Sequence, residues 1–369
     1  MYDQIQGNTL FMMFYAAVAM MALMASCYLL LRQGNAFAAD ITSPVRLRRW
    51  TAAFFASIAL GHVWYLPTYF LSSNDDVVIF GLIGCLLDCL TFFPLEIIVL
   101  LAMLQDRKRP LWPVALVVSP LVAGMVWGIV SRSDTLMPMI RLYLLLLSIG
   151  IIIYMVREVR RYGRWLRDNY ADLEHKEVWQ SFVVLAAIFI ASDFYVGGYG
   201  LRVYEYVTQA CAIVLICYLL WRVETLSDLS ISVDDAAEEA VTTESVEDND
   251  LSLSIRNNIG PLLKKLCEEQ QLYLQYDISM THLAQQIGIN RSYLSKHFAL
   301  QGISYNDYIN GLRIQHFINL YHETAKTKQP ITVKQLAYQS GFRSYSTFNS
   351  AFKQTMGMTA TEWMNSVTE

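Results

Sequence analysis

Seven long apolar stretches separated by short polar segments fill the first 223 residues. They lie near 9–31, 51–71, 77–104, 111–131, 136–156, 178–200 and 203–221. A helix of about 20 residues crosses about 30 Å of hydrocarbon, and each stretch reaches or nearly reaches that length. Pro94 sits inside the third stretch and predicts a kink or tilt there. Beyond about residue 255 the pattern changes to short segments with apolar residues at helical spacing, punctuated by Ser, Thr, Asn and Gly. The expected fold class is all-α. A seven-helix transmembrane bundle (1–223) is joined by an acidic flexible linker (224–254) to a helical C-terminal domain (255–369).

Lys and Arg in the connecting segments set the expected orientation, because cytoplasmic loops carry the excess. The segment before the first stretch has none, and the next loop has Arg32, Arg46, Arg48 and Arg49. The loop around Ser72–Asp76 again has none. Then come Arg107, Lys108 and Arg109, then Arg132 alone. The next loop holds Arg157, Arg160, Arg161, Arg164, Arg167 and Lys176, and the last holds Arg202. This alternation puts the N-terminus outside and the C-terminus in the cytoplasm. The first stretch does not read as a cleavable signal peptide, since Asp3 is the only charge before it and the run is too long.

The formal net charge of −4 hides a segregation along the chain. Residues 224–250 hold ten Asp/Glu and no Lys/Arg, which predicts a solvated, disordered spacer. Residues 255–369 hold eleven Lys/Arg against seven Asp/Glu, a local charge that admits an anionic partner. Five of the six cysteines fall in apolar runs, where Cys is a small hydrophobe, and no disulfide framework is visible.

Ionisable side chains inside the apolar stretches are costly and usually face other helices or a cavity. His62 and Asp88 lie near mid-membrane, and Glu96 follows Asp88 by eight residues, on roughly the same helical face. Arg141, Asp193, Arg202 and Glu205 lie nearer the outer surface, among Trp64, Tyr65, Tyr69, Tyr195, Tyr199, Tyr204 and Tyr206. Arg141, Asp193, Glu205, Asp88, Glu96 and His62 are therefore candidate ligand-binding residues. Helix cross-links and an interfacial aromatic belt explain the same residues without a ligand. Cys85 and Cys89 beside Asp88 and His62 are the types that bind zinc, but such residues also pack well between helices, and no metal or cofactor is expected.

The C-terminal domain carries one phrase twice. Leu283-Ala284-Gln285-Gln286-Ile287-Gly288 recurs as Leu336-Ala337-Tyr338-Gln339-Ser340-Gly341, followed by the apolar pairs Leu294/Phe298 and Phe348/Phe352. Gly288 and Gly341 occupy the turns, where positive φ is expected. Asn290 and Ser344 are expected to cap the helices that follow. Thr332-x-x-Gln335, Ser304-x-x-Asp307 and Thr359-x-x-Glu362 mark further helix starts, whereas His282 leaves the box at Ser279 incomplete. Between the units, Ile309, Leu312, His316/Phe317 and Leu320 share one face of a long helix able to hold two helix-turn-helix units at fixed separation. Two such units present two recognition helices to successive major grooves.

These residues resemble the DNA-binding domain of the AraC/XylS family of bacterial transcription regulators. The resemblance rests on LAQQIGINRSYLSKHF, ISYNDYINGLRI and ITVKQLAYQSGFRSYSTFNSAFKQTMGMTATEW, and covers about 30% of the chain. It implies that Arg291, Ser292, Ser295 and Lys296 face DNA from the first recognition helix. It implies the same for Tyr345, Ser346, Asn349 and Ser350 in the second, with Arg343 and Lys353 on phosphate. Tyr293, Leu294, Phe298, Phe348, Phe352 and Trp363 are expected in the core. The sequence departs from the family at Ser350, where Arg is frequent, and also at Ala360, Met364 and Phe317. The expected protein is a membrane-anchored, one-component regulator of the bacterial inner membrane and not an enzyme. Its expected partners are promoter DNA, the bilayer, a small-molecule or envelope signal, RNA polymerase and a second copy of itself. The competing readings are a transporter or enzyme-like membrane domain coupled to transcription, and a signal-blind tether; no HExxH, P-loop or nucleophile elbow appears.

Overall fold

The structure is a computed structural model that describes residues 9–133, 135–193, 202–229, 259–327 and 332–368. The chain divides into two compact units, Met1–Arg160 with Val178–Ser230, and Arg161–Glu177 with Ile231–Glu369. Regular structure among the described residues is helical, and the one β contact there is an isolated antiparallel bridge between Tyr170 and Ser279.

The helices beginning in the first part of the chain are α1 (Thr9–Leu31), α2 (Val45–Tyr65), α3 (Asn74–Leu90), α4 (Phe92–Ala102), α5 (Trp112–Ser131), α6 (Met137–Asn169), α7 (Trp179–Asp193) and α8 (Arg202–Thr225). Five segments among the described residues are long and apolar enough to cross a membrane: α1, Asn74–Ala102, α5, α6 and Glu205–Thr225. The remaining two expected stretches differ for separate reasons. The second ends as α-helix at Tyr65 and passes into a 3₁₀ turn at Leu66–Tyr69, while Arg46, Arg48 and Arg49 occupy the start of α2. The sixth stretch is described only as far as Asp193, and its last expected residues lie outside the description.

Pro94 breaks the third stretch as its chemistry requires. A proline inside a helix lacks the N–H and conflicts with the carbonyl four residues back, which here belongs to Leu90. Accordingly α3 ends at Leu90 and α4 starts at Phe92, with Thr91 leaving helical geometry at φ −123° and ψ −66°. The Thr91 hydroxyl donates to Leu87 O at 2.7 Å. This break interrupts the register on which Asp88 and Glu96 were expected to share a face. Pro120 stays inside α5, and the Ser119 hydroxyl donates to Leu116 O, the carbonyl that Pro120 cannot reach, at 2.8 Å. Ser26 Oγ donates to Ala52 O at 2.8 Å between α1 and α2, where Ala22, Ala25 and Ala52 are buried and permit close approach.

The first residues of the expected linker, 224–229, are held in the first unit. Glu224 is fully buried, and its carboxylate pairs with Arg32 at 2.9 Å. Asn35 Nδ2 donates to Glu224 O at 2.7 Å, Asp228 N to Thr42 O at 2.9 Å, and Leu229 N to Gln105 Oε1 at 2.8 Å. The first acidic residues of the run are thus held in the first unit by partners far away in sequence. The rest of the expected linker, from residue 230, lies outside the described residues.

The second unit contains a turn of π-helix at Leu263–Glu269, then α9 (Met280–Ile287), α10 (Arg291–Gln301), α11 (Tyr305–Thr327), α12 (Val333–Gln339), α13 (Tyr345–Met356) and α14 (Ala360–Thr368). It has two cores. One gathers Ile259, Leu263, Leu283, Ile287, Leu294, Phe298, Tyr305 and Ile309. The other gathers Ile314, Phe317, Leu336, Phe342, Phe348, Phe352 and Trp363. Because α11 supplies Tyr305 and Ile309 to the first and Ile314 and Phe317 to the second, one helix fixes both.

Arg32→Ala is expected to strand the Glu224 carboxylate in a dry site and cost about 3–5 kcal/mol. Thermal unfolding in detergent should show the loss, and Glu224→Gln in the same chain should recover most of it. An unchanged midpoint for the single variant would rule out a stabilising role for the pair.

Candidate nucleic-acid interface

Each recognition helix starts at a side-chain cap. Asn290 accepts from Ser292 N ahead of α10, and Ser344 accepts from Thr347 N ahead of α13. Thr332 and Gln335 form a complete capping box on α12. Ser279 accepts from His282 N at 3.1 Å with no reciprocal bond from position 282. Caps at these places fix where the first turns begin, and hence where the side chains expected to meet bases emerge.

The two turns need glycine to different degrees. Gly288 has φ +75° with open space at its missing Cβ. Gly341 has φ +87°, and a Cβ there would stand 2.8 Å from Leu274 Cα. The second helix-turn-helix therefore packs its turn directly onto the Leu272–Leu274 backbone, a 3₁₀ turn.

Arg313 was not singled out by the sequence pattern, yet it holds the domain together. It is 1% exposed, and its guanidinium donates to Tyr273 O at 2.7 Å, Gln275 O at 2.7 Å and Tyr276 O at 3.3 Å. It also lies over the Phe342 ring, 5.6 Å from the centroid. Three carbonyls of the segment leading to the first helix-turn-helix and an aromatic ring of the second helix-turn-helix thus share one cation. A buried charge spaced between the two apolar halves of α11 was the available sequence signal.

Among the expected DNA-facing residues, Lys296, Ser346, Ser350 and Lys353 are exposed. Arg291, Ser292, Ser295, Arg343, Tyr345 and Asn349 are half-buried. Arg343 pairs with Asp277 at 3.3 Å. The Arg291 guanidinium is held by Asn169 Oδ1, with Nε at 3.1 Å and Nη2 closer. Thr347 Oγ1 donates to Glu174 Oε2 at 3.2 Å. Asn169 and Glu174 belong to the Arg161–Glu177 segment of the same unit, which the sequence presented only as a basic loop. Leu294, Phe298, Phe348, Phe352 and Trp363 are buried, and Tyr293 packs partly buried against the first core. Phe317, where the family favours a small residue, fills the second core with its ring centroid 4.6 Å from that of Phe348.

In the first unit, several candidate ligand residues have found protein partners instead. His62 Nε2 meets Gln209 Oε1 at 2.9 Å and its Nδ1 meets Ile58 O at 2.8 Å. Tyr65 donates to Asp88 Oδ2 at 2.7 Å, and Tyr69 to Glu205 Oε2 at 3.0 Å. Arg141 is exposed on α6 and Glu96 is half-buried on α4, so neither joins that network. The side chain of Asp193 lies outside the described residues, as do Tyr195 and Tyr199. No group of three or more His, Cys, Asp or Glu among the described residues is placed to hold a metal ion.

A pair of capped helix-turn-helix units around one connecting helix defines a DNA-binding class of domain, and residues 283–366 match the helix-turn-helix domain family. The chain is similar to the TCP pilus virulence regulatory protein of Vibrio cholerae serotype O1, 37% identical over 21% of this chain and 27% of the relative. It is also similar to an uncharacterized HTH-type transcriptional regulator of Staphylococcus aureus strain MRSA252, 29% identical over 25% of this chain and 12% of the relative. The chain thus spans about a quarter or less of the length of these relatives. No solved structure matches it. The matches support an AraC-family regulator of transcription, and the family match lies within the second unit.

Gly288→Ala is expected to cost about 1–2 kcal/mol, the strain of a left-handed alanine. Gly341→Ala should cost clearly more, since backbone must also move off Leu274. Denaturant unfolding of both variants checks the order, and equal losses would contradict the packing at Leu274.

Proposed function

We propose that this protein is a membrane-anchored, one-component transcription regulator that reads promoter DNA in sequence-specific fashion under control of a signal met in or through its membrane domain. The observation that carries the DNA-reading half is that α10 and α13 begin at capped, fixed first turns on either side of one buried connector, Arg313. In the first recognition helix, Lys296 and Arg291 are suited to guanine O6/N7, with Ser292 and Ser295 beside them. Asn349 is suited to adenine in the second, flanked by Tyr345, Ser346 and Ser350. Arg343 and Lys353 are suited to phosphate and position the domain without reading sequence.

Support for the membrane half comes from the five long apolar helices and from the alternation of Lys and Arg between the stretches. On this reading the chain crosses the inner membrane seven times, with its N-terminus outside and the DNA reader in the cytoplasm. That orientation is also the one in which a C-terminal reader reaches the chromosome. Effector control requires the signal to bind two states of the bundle differently. A second copy of the chain, brought close in the bilayer, would raise the effective concentration of paired readers.

Two measurements test this. Lys296→Ala in the full chain, held in lipid nanodiscs, should weaken binding to a duplex selected from a randomised pool by about 1–3 kcal/mol and relax preference at one position. Arg343→Ala should instead weaken all duplexes alike and lower the salt slope by about 1. Wild-type affinity and slope in both variants would remove these residues from the interface. For topology, a C-terminal green fluorescent protein should fluoresce and a C-terminal alkaline phosphatase should be inactive; the reverse pair of results would invalidate the orientation.

A further inference from the structure

We infer that the chain carries its own competitor for DNA: the segment Asn169–Lys176 is a docked strap that occupies the first turns of both recognition helices. This rests on the DNA-reading function proposed above and names the regulation of that site.

The strap is seated by backbone and by buried amides. Tyr170 bridges Ser279 in antiparallel fashion, and Ala171 N donates to Ile278 O at 3.5 Å. Asn306 Nδ2 donates to Tyr170 O at 3.1 Å and to Ala171 O at 2.7 Å, and Asn310 Nδ2 reaches Ala171 O at 3.3 Å. Ala171 is fully buried and belongs to the first apolar core. Asn306 and Asn310 are themselves buried in α11, so the strap carbonyls satisfy amides that would otherwise need water. These contacts form a built seat.

From that seat the strap reaches both readers. Asn169 takes the guanidinium of Arg291, the first residue of α10. Glu174 takes the hydroxyl of Thr347, in the first turn of α13. Lys176 pairs with Asp277 at 3.6 Å, and the same carboxylate pairs with Arg343. Recognition helices contact base edges with their N-terminal residues, so these first turns are where a duplex must enter.

The chemistry of the strap imitates what it excludes. Asn169–Lys176 holds Asp172 and Glu174 against the single cation Lys176, and Asp168 immediately precedes it. Asp168 lies within electrostatic reach of Arg291. The Arg291 guanidinium and the Thr347 hydroxyl that the strap takes are donors of the kind that hold a DNA phosphate. Strap and DNA phosphates therefore call on one set of donors, and both cannot be satisfied at once. The strap continues directly from α6, whose earlier residues form one of the apolar, membrane-length segments. A covalent route from an apolar helix to the reader is thereby part of the sequence.

The test uses the full chain in lipid nanodiscs and, as probe, a pool of 40-bp duplexes with a randomised core. Asn169→Ala with Ala171→Trp unseats the strap without altering net charge, because a fully buried alanine site cannot take an indole. This variant should bind the pool at least tenfold more tightly than the wild type, and adding Lys296→Ala should remove the gain. The converse arm locks the strap: Tyr170→Cys with Ser279→Cys places thiols at opposed bridge positions, within disulfide reach. Oxidation should weaken duplex binding at least tenfold, reductant should restore it, and neither single-cysteine variant should respond. Equal affinity of unseated and wild-type chains, or of oxidised and reduced pairs, overturns the strap while leaving DNA reading intact. Failure of every form, including the unseated one, to bind any duplex overturns DNA reading and the strap with it. If the unseated variant does not fold, the reversible disulfide decides alone.

Discussion

A guanidinium buried at 1% exposure must spend its donors on protein, and Arg313 spends them on three carbonyls between Tyr273 and Tyr276 and on Asn310 Oδ1. The geometry of the DNA reader depends on this interaction. Two helix-turn-helix units read successive grooves only if their separation is fixed, and apolar cores alone allow sliding. The fan of hydrogen bonds from α11 to the segment before α9, with Phe342 of the second unit against the same cation, gives the connection direction as well as energy. Gly341 adds to the constraint, since its turn lies against Leu274 within the same stretch.

The same rule governs the first unit. Apolar packing is not directional, so polar groups and close backbone approach carry the specificity. Ser26, Ser119, Thr91 and Tyr143 each donate to a backbone carbonyl, two of them where a proline has disturbed the ladder. His62, Asp88 and Glu205 are likewise engaged by Gln209, Tyr65 and Tyr69. Groups that stand out in the sequence as chemistry are, in the fold, ties between helices. A ligand acting among them has to exchange these bonds for its own, which is how a small binding event would be felt as helix movement.

Local signals were legible in the sequence and distant ones were not. The caps at Asn290, Thr332 and Ser344 and the positive φ at Gly288 and Gly341 follow from residue types within four positions, and the structure has them. The break beside Pro94 is equally local. By contrast, Glu224 reads as the start of a charged linker because its partner Arg32 is nearly two hundred residues away. The Asn169–Lys176 segment reads as an ordinary basic loop for the same reason: its amide partners Asn306 and Asn310 are more than 130 residues distant. Arg313 is unmarked in the sequence, since periodicity records which side of α11 is buried but not which charge is buried with it. The roles of Arg291, Lys296 and Asn349 toward DNA rest on the family resemblance and on position in the first turns.

The two readers are unequal, and the inequality bears on how little is needed to control them. Residues 255–369 carry a surplus of only four positive charges, so phosphate attraction leaves a narrow margin over competing contacts. The first recognition helix holds two cations, Arg291 and Lys296, whereas the second holds Lys353 near its end and Ser350 where the family favours Arg. On the proposed assignment of Arg291 to DNA, a competitor that occupies it removes one of the two cations of the first recognition helix. It does so with one amide oxygen, and the Ala171 seat beside it supplies the apolar burial that a mobile acidic peptide would lack. Docking has to be worth only about 1.4 kcal/mol to shift apparent DNA affinity tenfold. An interaction of that size lies within reach of a modest rearrangement of the helix that carries the strap.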